Sequence, residues 1–474
     1  MHPGRNLPPN RQDTLSLLAG IREHCDRSNR TIVVLDDDPT GTQTVYDTRV
    51  LTVWDGSTIR QTLTQGDPLF FILTNSRALA EPDAVALATE IGATLRQSAS
   101  EAGREVVVIS RGDSTLRGHY PAEVDALSAA LGTPNAVQVI MPFFLQGGRF
   151  TVNDVHYVVE REEEWTPVGE TPFARDATFG FAASNLHQWV DEKRSAFDSR
   201  PTSSVSINDL RTSTIESLAE QLLSLPDRTV LIVNAVTIED ARTFALAAHH
   251  AMDRGRSFVY RTAASFVQAV AGLEEKPLLP GDRIINDDHA AGLIVVGSYV
   301  PKTTEQLDAL LALDEPPEVV EVEVEALLAS EQNQENAVRN AVDEIERHLR
   351  ERRDVVLFTS RKLITGVDAE SSLRIARQVS DSIVEIVRSL SSPLRYLIAK
   401  GGITSSEIAT EALGIRTATV LGQILPGVPV WAFQRDQQDT TPYVVFPGNV
   451  GSRNALADAY QTLSANSPPQ PRFR

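Results

Sequence analysis

Three carboxylates in a row, Asp36-Asp37-Asp38, close the apolar run Val33-Val34-Leu35 and lead straight into Pro39-Thr40-Gly41. Like charges gathered where a buried segment surfaces repel one another and resist desolvation, so the stretch calls for a metal, a cation or a proton to hold it. Such carboxylates ligate Mg2+ through oxygen or act as a general base. One of them can equally cap a following helix. Two more polar clusters follow apolar runs in the same way. Thr74-Asn75-Ser76-Arg77 comes after Phe70-Phe71-Ile72-Leu73, and Ser110-Arg111-Gly112-Asp113-Ser114-Thr115-Leu116-Arg117-Gly118-His119 comes after residues 106–109. Arg77, Arg111 and Arg117 with their neighbouring hydroxyls read as an anion site, because guanidinium binds carboxylate or phosphate through paired hydrogen bonds.

A different chemistry is written in glycine. Lys400-Gly401-Gly402-Ile403-Thr404-Ser405-Ser406 lies between an apolar run and a helical pattern. Glycines let a phosphate approach the backbone, and a helix N-terminus offers free N–H groups. Thr404, Ser405 or Ser406 reads equally as a plain helix cap. Gly297-Ser298 and Pro447-Gly448-Asn449-Val450-Gly451 also follow apolar runs. Three glycine-bearing strand ends in one half of the chain form a candidate nucleotide cradle. Between the two chemistries, Gln146-Gly147-Gly148-Arg149, Asn153, Asp154, His156 and Thr171-Pro172-Phe173-Ala174-Arg175-Asp176 lie in a segment of loop character. It reads equally as site or as structural excursion.

The elements that must position these clusters alternate. Short β-branched runs at 31–35, 70–74, 106–110, 137–141 and 230–234 read as strands, with helical spacing over 83–98, 122–131 and 239–254. The second half repeats the style, with strands at 292–296, 319–324, 355–360 and 396–399 and helices near 303–312 and 332–352. This βαβ alternation predicts an α/β protein of two domains, each a mostly parallel sheet flanked by helices. Ligands are expected at the carboxyl ends of the strands. A stretch rich in Pro, Gly and charge at 274–289 marks the boundary, giving domains 1–280 and 281–474 with the active site in the cleft between them. Residues 467–474 read as a frayed tail.

Totals narrow the function classes. The chain has 474 residues, too many for one ordinary core, and is 42% hydrophobic and 23% charged. A net charge of −19 argues against nucleic acid and anionic membrane as partners. Only Lys193, Lys276, Lys302, Lys362 and Lys400 of the 44 basic residues are lysine. The single cysteine, Cys25, excludes an intrachain disulfide framework. Residues 1–30 hold no apolar core of signal-peptide length, and no apolar run approaches the ~20 residues of a membrane span. A cytoplasmic protein is the expectation, with a homodimer as the default assembly.

Carboxylates and arginines for a small anionic substrate in one half, and glycine loops for a phosphate-bearing ligand in the other, point to phosphoryl transfer. The chain resembles the four-carbon acid sugar kinases, which phosphorylate threonate, erythronate and their oxo forms. The resemblance is carried by DDDPTGTQT at 36–44, TNSR at 74–77, GDSTLRGH at 112–119, GGRFTVNDVHYV at 147–158, TPFARD at 171–176, GSYVPKTTEQL at 297–307, KGGITSSEIA at 400–409 and PGNVG at 447–451, in family order. It implies an acid-sugar site in the N-terminal domain and ATP in the C-terminal one. Carried over by motif, the substrate contacts fall on Asp37 and its neighbouring aspartates, Arg77, Asp113, Ser114, Thr115 and Arg117. The nucleotide contacts fall on Ser298, Gly401, Gly402, Ile403, Thr404 and Gly448. Ile403 stands where many members carry an acidic residue, and Pro447 near where many carry a basic one.

The implied reaction is in-line transfer of the ATP γ-phosphoryl to a hydroxyl of the acid. Arg77 and Arg117 would hold the acid's carboxylate. Asp37, or else Asp38 or Asp113, would take the hydroxyl proton. Mg2+ would bridge the phosphates, its protein ligands unassigned. Two alternatives stand beside it. Asp36-Asp37-Asp38-Pro39-Thr40 also fits the Asp-x-Asp-x-Thr motif of haloacid-dehalogenase-type phosphatases, with Asp36 as nucleophile. That enzyme type needs a lysine and a later acidic pair in the same domain, for which Lys193 and Lys276 are poor candidates. The other alternative is a non-catalytic nucleotide and metabolite sensor with both pockets.

Overall fold

A computed structural model describes residues 3, 7–159, 164–285, 290–361, 364, 369–434 and 440–464. The chain divides into two units, Met1–Glu275 and Lys276–Arg474, within the Pro- and Gly-rich stretch that marks the boundary in the sequence. Positions 286–289 of that stretch and the 467–474 tail lie outside the described residues.

In the first unit, β1 (Arg30–Asp36), β2 (Thr48–Leu51), β3 (Leu69–Leu73), β4 (Glu105–Arg111) and β5 (Val137–Met141) supply part of the main sheet. A smaller sheet follows, made of β6 (Arg149–Val152), β7 (Val155–Val159) and β8 (Trp165–Pro167). Then β9 (Thr202–Val205), β10 (Val230–Val233) and β11 (Phe258–Thr262) complete the main sheet in the order β2-β3-β1-β4-β11-β5-β10-β9. Every described pairing in it is parallel. The sequence explains why. The described residues of β3 and β5 are buried throughout, as strands covered on both faces by helices require. The helices Glu81–Ala102 and Ala122–Leu131 pack Ile91, Leu95 and Leu127 against Val33, Leu35, Phe70 and Ile72.

Register then does the work of assembly. Asp36 pairs with Leu73 on one side and Arg111 on the other. The three polar clusters therefore leave the sheet at one level, at the carboxyl ends of adjacent strands.

The segment read as a loop is an antiparallel three-stranded sheet instead. Asn153 and Asp154, both at positive φ (50° and 62°), form the two-residue turn between β6 and β7. They are turn residues by this geometry, although Asp154 also pairs with His187 at 3.4 Å.

The second unit holds β12 (Ala291–Val296), β13 (Glu318–Val322), β14 (Val355–Thr359), β15 (Leu394–Lys400), β16 (Thr417–Leu425), β17 (Val428–Gln434) and β18 (Thr440–Phe446), ordered β13-β14-β12-β15-β18-β17-β16. The first five in that order run parallel. The last two join antiparallel, which the sequence reading did not foresee. In the core, Ile294, Val296, Val356, Phe358, Ile398 and Phe446 pack with Leu456 and Leu463 of the final helix, Ala455–Ser464. No described helix is long and apolar enough to cross a membrane.

Candidate active site

The cation that holds the three aspartates is arginine. Arg77 grips Asp37 through two nitrogens, Nη2 to Oδ1 at 2.6 Å and Nε to Oδ2 at 3.2 Å, and reaches Asp38 at 3.4 Å through Nη1. Arg111 Nη1 donates to Asp36 at 3.2 Å and to Asp37 at 3.4 Å. Arg261, on β11, approaches Asp37 at 3.8 Å and Glu123 at 3.7 Å. Asp36, Asp37 and Arg111 are all buried. Among the described residues no group of three or more His, Cys, Asp or Glu side chains is placed to hold a metal ion. The carboxylates that could have ligated Mg2+ are engaged by guanidinium groups, so the donor set does not fit a protein-held Mg2+.

The aspartates have separate duties. Asp38 accepts from Thr40 N at 2.8 Å and caps the 3₁₀ turn Pro39–Thr44. Burial acts to raise its pKa, but Arg77 and Arg111 outweigh it and the carboxyl titrates below the ordinary range. Asp36 is different. Burial pushes it up to about 8 against the pull of Arg111, and the charges of Asp37 and Asp38 add to the rise. It is a neutral acid at pH 7, 1% exposed, with Oδ2 buried and unpartnered. A phosphatase nucleophile must be ionised, and Asp36 is not. Gly41 is what admits this carboxyl: a Cβ there would lie 2.1 Å from Asp36 Oδ1.

After β4, the chain turns through Leu116 and Gly118, both at positive φ. Gly112 makes room for Arg261, whose Cζ would lie 2.1 Å from a Cβ at that position. Asp113 accepts from Thr115 Oγ1 and from Arg117 Nε, the latter at 2.7 Å. Burial acts against its charge, but Arg77 and Arg117 with these bonds hold it well below the usual carboxylate range. Arg117 also lies 3.6 Å from Asp176 and stacks over Phe173 at 5.2 Å, with Arg149 on the same ring at 5.7 Å. Ser114 carries its carbonyl on His156 Nε2 at 2.8 Å. Burial drives His156 down to about 4, so the ring is neutral and structural. Arg117 is the most open of the site's arginines, with a side-chain exposure of 25% against 19% for Arg77, 6% for Arg111 and 8% for Arg261.

Thus Asp37, Arg77, Asp113, Ser114, Thr115 and Arg117 are brought together, with Arg111. Arg261 and Glu123 were not singled out in the sequence. Glu123 accepts from Ser76 Oγ at 2.6 Å, and burial raises its pKa against the pull of Arg261.

In the second unit the ends of β12, β15 and β18 are adjacent. Gly297 N donates to Lys400 O at 3.3 Å, and Gly401 N to Phe446 O at 2.9 Å. A Cβ on Gly297 would lie 2.3 Å from Thr404 Oγ1, and one on Gly448 would lie 3.4 Å from Ser298 Oγ. Gly401, at φ +127°, needs its freedom. Ser298, Gly401, Gly402, Thr404 and Gly448 therefore meet at one edge. Gly402 opens the helix Gly402–Glu407, whose first turn no side chain caps. Ser405 Oγ instead bonds Ala399 O and Gly401 O at 2.7 and 2.6 Å, so the plain-cap reading does not hold. Ile403 projects outward, 58% exposed.

Two family models match the chain. A sugar-binding N-terminal domain covers residues 32–270, and a nucleotide-binding C-terminal domain covers 293–456. A D-threonate kinase of Salmonella typhimurium is 24% identical over 368 residues, covering 74% of this chain and 79% of its own. A D-threonate kinase of Bordetella bronchiseptica is 26% identical, covering 83% and 85%. A D-erythronate kinase of Heliobacterium modesticaldum is 27% identical over 50% of this chain and 49% of its own. Crystal structures from Salmonella typhimurium (TM-score 0.67, 15% identity, covering 91% of this chain and 98% of that one) and Haemophilus influenzae (0.62, 17%, 91% and 100%) share the fold.

Proposed function

The chain belongs to the four-carbon acid sugar kinase family, and from that membership we propose that it transfers the γ-phosphoryl group of ATP to a hydroxyl of a four-carbon sugar acid of the threonate, erythronate or oxo-tetronate type. The observation that carries the reading is the pairing of chemistry with domain. The arginine–aspartate cluster lies inside the sugar-binding match, and the glycine-lined strand ends lie inside the nucleotide-binding match.

Within the first site, Arg117 takes the substrate carboxylate, since it is the most open guanidinium there. The Ser114 hydroxyl, which has no partner among the described residues, hydrogen-bonds the acid. Thr115 and Asp113 hold Arg117 in place. Asp37 receives the hydroxyl proton. Arg77, Arg111 and Arg261 orient its carboxylate, and where the transition state is loose catalysis is mostly positioning and charge stabilisation. Asp113 is a poor base, because its two arginines hold its pKa down against burial. Asp38 is committed to its cap. ATP supplies the phosphoryl group. Ser298, the 401–404 turn and Gly448 hold it.

The test is ADP release with ATP and Mg2+ across both threonates, both erythronates and their 2- and 3-oxo forms. Turnover with at least one acid is expected. No ADP with any of them, from protein that still binds ATP, would overturn the reading in favour of a sensor.

A further inference from the structure

Lys400 ends β15 with its side chain wholly buried and no ion pair among the described residues. Its ammonium donates to Pro447 O at 2.5 Å and Gly448 O at 3.1 Å and lies 4.2 Å from the centroid of the Phe446 ring. Taking an ammonium out of water costs several kcal/mol even after relaxation, and a well-packed apolar residue would avoid that cost. Stability alone therefore does not account for a lysine here.

What the ammonium does is orient two peptides. A trans peptide points its N–H opposite to its C=O. With the carbonyls of Pro447 and Gly448 turned inward on Lys400, the N–H groups of Gly448 and Asn449 face the other way. Neither N–H has a partner among the described residues. Successive free N–H groups of this kind make an anion-binding concavity. Two more cations border it. Lys302 Nζ donates to Asn449 O at 3.3 Å. Arg361 Nη2 donates to Ser298 O and Thr304 Oγ1, both at 2.8 Å, while its Nε and Nη1 are buried without a partner. None of the three forms an ion pair among the described residues.

We propose that Lys400 is a positioning residue for the nucleotide: it turns the Gly448 and Asn449 N–H groups toward a polyphosphate and, with Lys302 and Arg361, gives that edge an uncompensated positive charge. The inference rests on the nucleotide reading of this unit. Burial lowers the Lys400 pKa to about 7, and Lys302 pushes in the same direction. The Phe446 ring and the Pro447 and Gly448 carbonyls that it touches are uncharged, so the charge is present below pH ~7 and fades above it. The terminal phosphate of ATP, with a second pKa of about 6, is already ionised there.

The experiment measures binding of ATP and of inorganic tripolyphosphate, and KM for both substrates, in wild type, Lys400→Met and Lys302→Met. Both polyphosphates should bind at least tenfold more weakly to Lys400→Met and a few-fold more weakly to Lys302→Met, with KM for the acid unchanged. From pH 7 to 9 the wild-type ATP affinity should fall. The fall should move to higher pH in Lys302→Met and vanish in Lys400→Met. Folded Lys400→Met that binds ATP within twofold of wild type, or that loses ATP and acid alike, overturns the proposal. If Lys400→Met does not fold, a flat wild-type profile with no shift in Lys302→Met overturns it. Wild type that binds no ATP overturns the nucleotide reading as well, which separates the two failures.

Discussion

At the strand ends of the first unit, Arg77, Arg111, Arg117 and Arg261 each stand against a carboxylate, and Asp36 is neutralised by a proton. At the strand ends of the second, the hydrogen bonds of Lys302, Lys400 and Arg361 among the described residues go to carbonyls and a hydroxyl, with aromatic rings beside Lys400 and Arg361. The contrast fits the ligands proposed for each. A singly charged acid asks for one accessible guanidinium in a frame rigid enough to discriminate hydroxyls. A polyphosphate carries several charges and asks for net positive potential and free N–H groups. In the first site the charges build the frame, and in the second they are left for the ligand.

The sharpest way to break this contrast is at Asp37, where three arginines converge. Asp37→Asn should cut turnover by ~10²- to 10⁴-fold, measured as ADP release from protein whose circular dichroism is unchanged. Activity within a few-fold of wild type would remove Asp37 as the proton acceptor. Arg117→Ala comes next. Losing a hydrogen-bonded charge partner should raise KM for the acid roughly 10- to 100-fold and leave KM for ATP alone. A rise in both would mean that Arg117 serves the frame and not the ligand. Gly401→Ala is the mirror image. A side chain at φ +127°, with its Cβ 3.0 Å from Thr404 Oγ1, forces the turn to shift. KM for ATP should rise about tenfold, the scale of a ~1–3 kcal/mol strain, with KM for the acid unchanged.

Asp36→Asn has the smallest expected effect and a distinct pH signature. An amide reproduces the shape of a protonated carboxyl, so activity at pH 7 should stay within roughly fivefold. The sign of the stability change follows from linkage. Asp36 keeps its proton in the fold up to about 8, whereas the unfolded chain releases it near the ordinary value of 3.8. Between those values the folded state binds more protons, so wild-type stability falls as pH rises, by up to ~1.4 kcal/mol per pH unit. Asp36→Asn removes that slope. Its melting temperature should gain on wild type as pH is raised from 5 to 8, and parallel curves would contradict the buried-acid assignment.

Much of the first site was legible because continuous apolar runs broke into polar clusters, and parallel strands bring such breaks to one level. The pairings were not legible. Arg111 meets Asp36 across 75 residues, and only the register of β1 on β4 makes them neighbours. Arg261 went unread because it lies inside the short strand Phe258–Thr262, which the sequence reading did not assign. The β6–β7 hairpin had a local signal, Asn153-Asp154 between Val152 and Val155, but without its pairing the segment reads equally as site or as structural excursion. In the second unit the antiparallel strands were missed although β16 alternates in burial, the mark of a half-covered strand. Lys400 was visible as a letter, but a lysine beside glycines reads as surface until the fold closes over it.

The most direct test of sugar-acid phosphorylation follows the terminal phosphoryl group itself, using ATP labelled at the γ position together with an acid that supports ADP release. Direct transfer predicts label in the acid, equal to the ADP formed, with none on the protein at any time point. Label on the protein that later chases into the acid or into water, or label found only as inorganic phosphate, would contradict the account.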